Sequence, residues 1–436
     1  MAKVLISFLG TGRPKDKNDP KRKYEPAKYR IEETDYSRTF VSLALREHFK
    51  ADRLLLIGTT HSMWEEVYSE CAADPDLDIW DEIGSACAGN NHTSDLSIPH
   101  QNEIEAAMGN GSKVVLVRYG LTTEEIKQNS EIILGLEEYL GKGDELIVDI
   151  THSFRSLPLF IMNLLIYLRD VSTKKVSIKG IYYGMLEATK DVGYTPIVDL
   201  SEVMNVNSWI SGAYSFMEFG NAYKISSLIE SDSSIAEPKR FCKPLQGFTD
   251  AKNLNHLAEL ENQVQKLQIL RNTSGLPTIA KMIVEPVIGN FLSTVRVGNG
   301  KFQHSDFQYQ LAIWQKRNFN YAAAYISLNE AILTRACELF RFDSNDYDQR
   351  EYMKHIFRWA RGNASAEAKL KELALLELVK DSREQLKEYS ILYNKVARNR
   401  NAIAHSLTDD SGRVTNTVHN MIRDLDTFIQ QYKDNL

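Results

Sequence analysis

Cysteine is scarce in this chain of 436 residues, with only four, at Cys71, Cys87, Cys242 and Cys337. No two of them are close enough in sequence to form a metal-binding knuckle or a C-x-x-C pair. The sequence therefore predicts neither a zinc site nor a disulfide framework, and single thiols of this kind suit a reducing cytosol.

A basic charge balance and long apolar runs are also missing. Lys and Arg number 52 against 58 Asp and Glu, so the formal net charge is −6. This balance excludes a broad basic surface that follows the phosphate backbone of a nucleic acid. Any contact with nucleic acid is therefore expected in a local cleft. The apolar run over residues 157–168 is too short to span a bilayer, and the N-terminus MAKVLISFLGTG lacks the pattern of a signal peptide. We therefore expect a cytoplasmic protein with no membrane partner.

The first half of the chain instead alternates apolar runs with segments of helical spacing. Five such runs predict strands, over residues 3–9, 53–57, 113–119, 145–150 and 176–183. This alternation is typical of a parallel sheet with helices on both faces. After about residue 205 helical periodicity dominates, although residues 231–248, with Pro238 and Pro244, predict a loop. The predicted fold is an α/β, Rossmann-like domain followed by an all-α domain.

Small and hydroxyl-bearing residues follow four of the predicted strands. They are Gly10-Thr11-Gly12, Gly58-Thr59-Thr60, Asp149-Ile150-Thr151-His152 and Tyr183-Gly184. Ligands of open α/β sheets bind beyond the carboxyl ends of the strands, and small residues let the backbone approach a nucleotide closely. A nicotinamide-binding turn at residues 10–12 is disfavoured because Lys15 stands where its third glycine belongs.

A second motif, Arg400-Asn401-Ala402-Ile403-Ala404-His405, lies near the end of the chain. On a helix Asn401 and His405 share a face, whereas Arg400 lies about 140° around the axis from His405. A single helix therefore does not direct the Arg400 and His405 side chains to the same place. Two copies of this helix, packed antiparallel, would surround a small cavity. A helix carrying Asn329-Glu330 is the expected companion.

The chemistry available to this motif is metal-free cleavage of RNA. The ribose 2′-OH attacks the adjacent phosphate and leaves a 2′,3′-cyclic phosphate. His405 moves protons near neutral pH, and Arg400 neutralises the charge that develops on the phosphate.

Residues 400–405 resemble the R-N-x-x-x-H signature of HEPN ribonuclease domains. Residues 149–158 (DITHSFRSLP) are similar to the D-x-T-H-G motif of CARF domains in CRISPR-associated Csx/Csm proteins, with Ser153 in place of glycine. The order of the two motifs also matches. The resemblance implies a CARF-like nucleotide sensor over residues 1–200, a helical linker over 201–310 and a HEPN-like ribonuclease over 311–436.

The resemblance also implies a function: a metal-independent endoribonuclease of type III CRISPR antiviral defence, which cuts single-stranded RNA and is activated by cyclic oligoadenylate. It implies no cofactor beyond this activator. A ring with two-fold symmetry fits an isologous interface, so a homodimer or higher even oligomer is expected. The implied catalytic residues are Arg400, Asn401 and His405. The implied ring contacts are Gly10, Thr11, Gly12, Thr59, Thr151, His152, Ser153 and Arg155.

Two alternatives stay open at this point. The chain would be a nucleotide-sensing regulator if its helical domain binds a partner and does not cut RNA. The sensor would be a ring nuclease if it degrades its own ligand, for which Thr11, Thr59, Ser153 and Arg155 offer polar groups but no obvious general base.

Overall fold

The computed structural model describes residues 1–16, 19–23, 26–154, 156–268, 275–295, 303–405 and 418–435. The side chains of residues 13–16, 19–23, 405 and 435 lie outside this description. The chain divides into two compact units, Met1–Asn207 and Ser208–Leu436. Two predicted site residues are affected, because Arg155 lies outside the described residues and only the backbone of His405 is described.

The N-terminal unit holds the strands. They are β1 (Lys3–Leu9), β2 (Arg13–Asp16), β3 (Asp19–Lys23), β4 (Ala27–Ile31), β5 (Thr34–Arg38), β6 (Arg53–Gly58), β7 (Lys113–Leu116), β8 (Glu145–Asp149), β9 (Ser177–Gly184) and β10 (Thr195–Asp199). Its helices are α1 (Val41–Phe49), α2 (Trp64–Cys71), α3 (Leu77–Gly89), α4 (Gln101–Met108), α5 (Thr123–Gly135), α6 (Leu157–Asp170) and α7 (Thr189–Val192).

Eight of these strands form one sheet in the order β5-β4-β10-β9-β8-β1-β6-β7, and β2 and β3 form a separate antiparallel ribbon. The five strands predicted from apolar runs are contiguous and parallel, from β9 to β7. The sequence missed β4, β5 and β10, where the sheet becomes partly antiparallel. These strands lie toward the edge, and β5 (TDYSR) has no apolar run because it is mostly exposed.

The central strands are apolar on both faces because helices cover both sides of the sheet. In β1, Val4, Ile6 and Phe8 pack into one core, and Leu5 and Leu9 into the other. This alternation follows from the two-residue period of a strand. In the sheet, β1 lies between β6 and β8, so later strands are added on both sides of it. Such a switch point leaves a crevice beyond the carboxyl ends of the strands.

The C-terminal unit is helical. A long helix, α8 (Glu202–Phe219), enters it and is followed by α9 (Tyr223–Ser231), α10 (Pro238–Asn253), α11 (Leu257–Leu267), α12 (Thr278–Thr294), α13 (His304–Arg317), α14 (Tyr321–Leu339), α15 (Tyr347–Ala360), α16 (Ala364–Glu372), α17 (Leu376–Val379), α18 (Arg383–His405) and α19 (Val418–Asn435). One hydrophobic core gathers residues from 209 to 314, and a second gathers residues from 312 to 432.

The predicted loop over residues 231–248 was wrong, because most of it belongs to α10. Pro238 stands in the first turn, where the missing N–H has no helical partner to lose. Pro244 lies inside the helix but is buried beside Leu245 and Phe248. Burial of this apolar face offsets the helix-breaking tendency of Pro244, which is an effect of tertiary packing. In the described part of the chain, no helix combines the length and hydropathy that a bilayer span requires.

Candidate functional site

A cavity of about 190 Å³ lies beyond the ends of β1, β6 and β8, at the switch point of the sheet. Its lining brings together five of the predicted contact residues, namely Gly10, Thr11, Thr59, His152 and Ser153. Phe8, Leu9, Ile57, Gly58, Ser62, Val117, Phe154 and Leu157 complete the wall. Four segments far apart in sequence therefore meet here, as expected for parallel strands that end at one edge.

The turn after β6 is tied to the end of β1. Ser62 Oγ donates to the carbonyl of Leu9 at 2.9 Å and accepts from the Thr59 backbone N–H at 3.0 Å. The Trp64 indole N–H donates to the Thr59 carbonyl at 2.9 Å. These bonds hold two strand ends at a fixed separation. Ser62 also lines the cavity, and α2 begins two residues later, at Trp64.

Gly12 and Thr151 do not line the cavity, although both were predicted as ligand contacts. Gly12 has φ +64°, and a Cβ there would collide with Met63 Sδ, so glycine is favoured at this turn. Thr151 Oγ1 donates to Asp149 Oδ1 at 2.5 Å and accepts from the Gly184 N–H at 2.8 Å. Thr151 therefore joins β8 to β9 through its side chain.

The carboxylate of Asp149 is fully buried beneath the cavity. It accepts from Ser7 Oγ at 2.5 Å, from the Thr151 N–H at 2.9 Å and from the Thr151 hydroxyl. Burial raises the pKa of Asp149, and these hydrogen bonds and the neighbouring His152 oppose that shift. These hydrogen bonds hold the 149–153 loop in place, so Asp149 is a positioning residue in this structure.

His152 and Phe154 are two of the three ring side chains of the lining, and Phe8 is the third. Burial lowers the pKa of His152, with the charge of Asp149 acting in the opposite direction. A neutral imidazole offers one donor and one acceptor. Phe154 is 38% exposed and packs against Tyr119, with ring centroids 5.6 Å apart. Sequence reasoning missed Phe154, although an aromatic side chain beside a ligand motif is a signal for base stacking.

Ser153 stands where the CARF motif has glycine, and we expected its hydroxyl to face a ligand. In the structure Ser153 Oγ donates to the Ile150 carbonyl at 3.0 Å, within its own turn. The residue still lines the cavity.

The second predicted site lies at the end of α18. Arg400 is half-buried and Asn401 is exposed. The neighbouring Asn399 is buried, and its Nδ2 donates to the Tyr325 hydroxyl on α14 at 2.9 Å. That hydroxyl in turn donates to the Met421 carbonyl on α19 at 2.7 Å. One buried tyrosine thus links the helix that carries the motif to both of its neighbours.

The companion helix predicted to face the motif is α14. Asn329 Nδ2 donates to the Tyr393 carbonyl on α18 at 3.4 Å, so the expected packing is confirmed. Glu330 forms an ion pair with Arg350 on α15. Burial raises the pKa of Tyr393, and its phenol also feels the charges of Glu330 and Arg400. Charged groups from α14, α15 and α18 therefore cluster beside the motif.

Comparison with known proteins gives two matches to family models. Residues 4–187 match the CARF domain of the CRISPR system endoribonuclease Csx1, and residues 205–299 match the second domain of CRISPR-associated protein MJ1674. The second match falls within the 201–310 region, for which the sequence alone suggested no family. The boundaries at residues 200 and 310 stay predictions.

A curated relative, CRISPR-associated protein MJ1674 of Methanocaldococcus jannaschii, is 34% identical over 378 residues. The alignment covers 82% of this chain and 57% of the relative, so the chain spans little more than half of that protein. Among solved structures, Enterococcus italicus Csm6 bound to cyclic hexa-2′-fluoro-hexa-dAMP shares 12% sequence identity and a TM-score of 0.40, with 100% of each chain covered.

Proposed function

We propose, from the premise that this chain is a CARF-containing ancillary protein of type III CRISPR systems, that its N-terminal unit senses cyclic oligoadenylate and its C-terminal unit cuts single-stranded RNA. The observation that carries the proposal is the cavity at the switch point of a sheet whose residues 4–187 match the Csx1 CARF domain. Open α/β sheets bind their ligands at this place.

The size of the cavity limits what one chain would hold. At about 190 Å³ it is smaller than the roughly 300–1,000 Å³ of sites that enclose a whole small molecule. It would therefore take one nucleotide unit of a larger ring. Phe154 would stack on the base, and the backbone at Gly10 would admit the sugar or phosphate closely. Two chains related by a two-fold axis would together hold a ring of matching symmetry.

The cutting step follows from the motif on α18. His405 would take the proton of the ribose 2′-OH, which attacks the adjacent phosphorus as the P–O5′ bond breaks. Arg400 would neutralise the charge on the phosphate oxygens, and a protonated imidazole would return a proton to the leaving 5′ oxygen. The second histidine and arginine would come from another copy of the chain, because one helix separates Arg400 and His405 by about 140°.

Coupling between the two sites needs an element with two states whose balance the ring changes. The interface between two copies is the proposed element, with the helices that follow the sensor carrying the change to the spacing of the paired motifs. A small change suffices, since a displacement of about 1 Å can cost about a hundredfold in rate.

The test uses the purified full chain, end-labelled single-stranded RNA and a series of cyclic oligoadenylates, with linear oligoadenylates of equal length as matched controls. We expect one ring size to accelerate cleavage and the linear forms to leave the rate unchanged. Ring binding without any cleavage, at every ring size, would favour the regulator interpretation. Loss of the ring during incubation would identify a ring nuclease activity.

The proposed machinery uses side chains alone for catalysis. We therefore expect cleavage to continue in EDTA and to leave 2′,3′-cyclic phosphate ends, which end-group analysis of the products detects. Cleavage that stops in EDTA and returns with Mg²⁺ would contradict this chemistry, because two-metal nucleases depend on bound cations.

A further inference from the structure

A second, larger cavity lies in the C-terminal unit and has no part in the steps above. Its volume is about 400 Å³, within the range of sites that hold a small molecule or one unit of a polymer. Helices α11, α13, α14 and the start of α15 enclose it. The lining is mostly polar and consists of Leu257, Ala258, Glu261, Asn262, Gln265, His304, Gln308, Glu330, Ser344, Asn345 and Arg350.

The charges of this lining disfavour a phosphate. Arg350 already pairs with Glu330 through Nη2 and donates to the Ser344 carbonyl through Nη1 at 3.1 Å. His304 Nδ1 lies 2.8 Å from Glu261 Oε2. Arg350 and His304 thus each face a carboxylate, and an anion would meet the negative charges of Glu261 and Glu330. A neutral ligand with N–H donors fits better.

One atom of a lining residue has no hydrogen-bond partner. In the described part of the chain, the Oε1 of Gln308 accepts no hydrogen bond and is buried, so the amide has to rotate toward the cavity before a ligand can reach this oxygen. Buried acceptors are rarely left unsatisfied, and a ligand donor in the cavity would satisfy this one. The amides of Asn262 and Asn345 add donors and acceptors nearby, and Leu257 supplies an apolar surface for a flat ring. This combination suits the edge and face of a nucleobase.

The position of the cavity connects it to the motif on α18. Glu330 and Arg350 belong to its wall, and Asn329, the neighbour of Glu330 on α14, donates to the carbonyl of Tyr393 on α18 at 3.4 Å. We propose that this cavity receives one unpaired base of an RNA strand whose backbone lies at Arg400. Adenine, cytosine and guanine carry an exocyclic amino group that a glutamine oxygen or a carboxylate can accept from, and uracil does not. The inference rests on the proposed ribonuclease function.

The test measures binding of labelled RNA by fluorescence anisotropy, with the full chain in a His405→Ala background so that no strand is cut. The strands are an oligouridylate and the same strand with one A, C or G. We expect at least one amino-bearing base to tighten binding by roughly tenfold, the lower part of the range for a well-placed hydrogen-bonding pair. Gln308→Leu should bring that preference below about twofold.

Gln310→Leu is the matched control, since Gln310 is on the same helix but outside the lining. It should keep the full preference. Glu261→Leu is a second variant of the cavity wall, and it should weaken the preference as well because it removes the carboxylate acceptor. The inference is overturned if all strands bind equally, or if folded Gln308→Leu and Glu261→Leu proteins keep the preference.

Free adenosine, cytidine and guanosine form a separate arm that distinguishes a strand from a loose nucleoside. A nucleoside that binds as tightly as the strand and is lost in Gln308→Leu would contradict the RNA assignment. Cleavage by the His405-containing chain is measured in parallel. A base preference without cleavage would contradict the ribonuclease function and support the base-binding cavity. Cleavage without a base preference would support the ribonuclease function and contradict the base-binding cavity.

Discussion

The cavity beside β1 and the motif on α18 are built in opposite ways. The cavity draws Gly10, Thr59 and His152 from three strand ends that are about 50 to 140 residues apart in the chain. The motif draws Arg400, Asn401 and His405 from one turn and a half of a single helix. A parallel sheet can therefore complete a site within one chain, whereas one helix presents its residues to different sides and depends on a partner for the rest.

The polar groups that support the two sites differ as well. Asp149 is a buried carboxylate with three hydrogen bonds beneath the cavity. The Asn399–Tyr325 pair is neutral and joins α18 to α14. Loss of the first should alter the proposed ligand site directly, and loss of the second should slightly displace α18, which carries the proposed catalytic motif. The four predictions below separate these effects, beginning with the largest.

His405→Ala should lower the rate of RNA cleavage by roughly 10²- to 10⁴-fold, the usual contribution of a general acid–base group. Ring affinity, measured by calorimetry, should not change, because the cavity lies in the other unit. His419→Ala, an exposed histidine on α19, is the control and should cleave normally. Full cleavage by a folded His405→Ala protein would show that the motif is not the catalytic site.

Asp149→Asn should weaken ring binding by about 5- to 150-fold, which corresponds to the roughly 1–3 kcal/mol of a lost buried acceptor. The amide nitrogen cannot accept from Ser7 or Thr151, so the loop under the cavity shifts. Basal cleavage should persist. Asp199→Asn is a close control, because Asp199 accepts from the Ser201 N–H and hydroxyl in the same geometry but is exposed. Equal losses in both variants would argue against a positioning role for Asp149.

Tyr325→Phe removes the hydroxyl that joins Asn399 on α18 to the Met421 carbonyl. The free energy of unfolding should fall by about 1–3 kcal/mol, and cleavage should slow by roughly tenfold because a slightly misplaced motif reacts poorly. Tyr309→Phe is the control. Its hydroxyl donates to the Ile429 carbonyl on α19, so this variant should affect stability more than cleavage.

The smallest expected effect is a dependence of stability on pH. Burial lowers the pKa of His152, so the folded state resists its protonation. The stability it contributes is therefore complete above the ordinary histidine pKa of about 6.5 and declines as pH falls through the lowered folded value. Urea unfolding at pH 7.5 and 5.5 should show a smaller decline for His152→Gln than for the unaltered chain. The exposed His92→Gln should match the unaltered chain.

Local patterns were sufficient where neighbouring residues in sequence share one environment. The apolar runs of β1, β6 and β8 predicted parallel strands because both of their faces are buried. They failed for β5 and for α10. The edge strand β5 is mostly exposed and therefore has few apolar residues in its sequence. The proline-containing helix α10 is stabilised by packing against residues that lie outside any short stretch of sequence.

Within the site, the sequence predicted the segments better than the side chains. The Thr151 hydroxyl bonds to Asp149 and to Gly184 on β9, and the Ser153 hydroxyl bonds within its own turn. Ser62 and Phe154 line the cavity without having been predicted to do so. A hydroxyl beside a carboxylate and a carbonyl bonds to whichever group the fold brings closest. The spacing of residues in the sequence does not predict which of these groups a hydroxyl will reach.

By itself, the sequence determined the parallel core, the edge of the sheet where a ligand would bind and the helix that carries Arg400 and His405. These features depend on residue periodicity and on the order of elements along the chain. Only the tertiary structure decided that Asp149 supports the cavity from below, that Tyr325 holds α18, and that Gln308 faces a polar cavity. Each of these depends on burial and on partners from distant segments, because the energy of a polar group is set by what surrounds it in space.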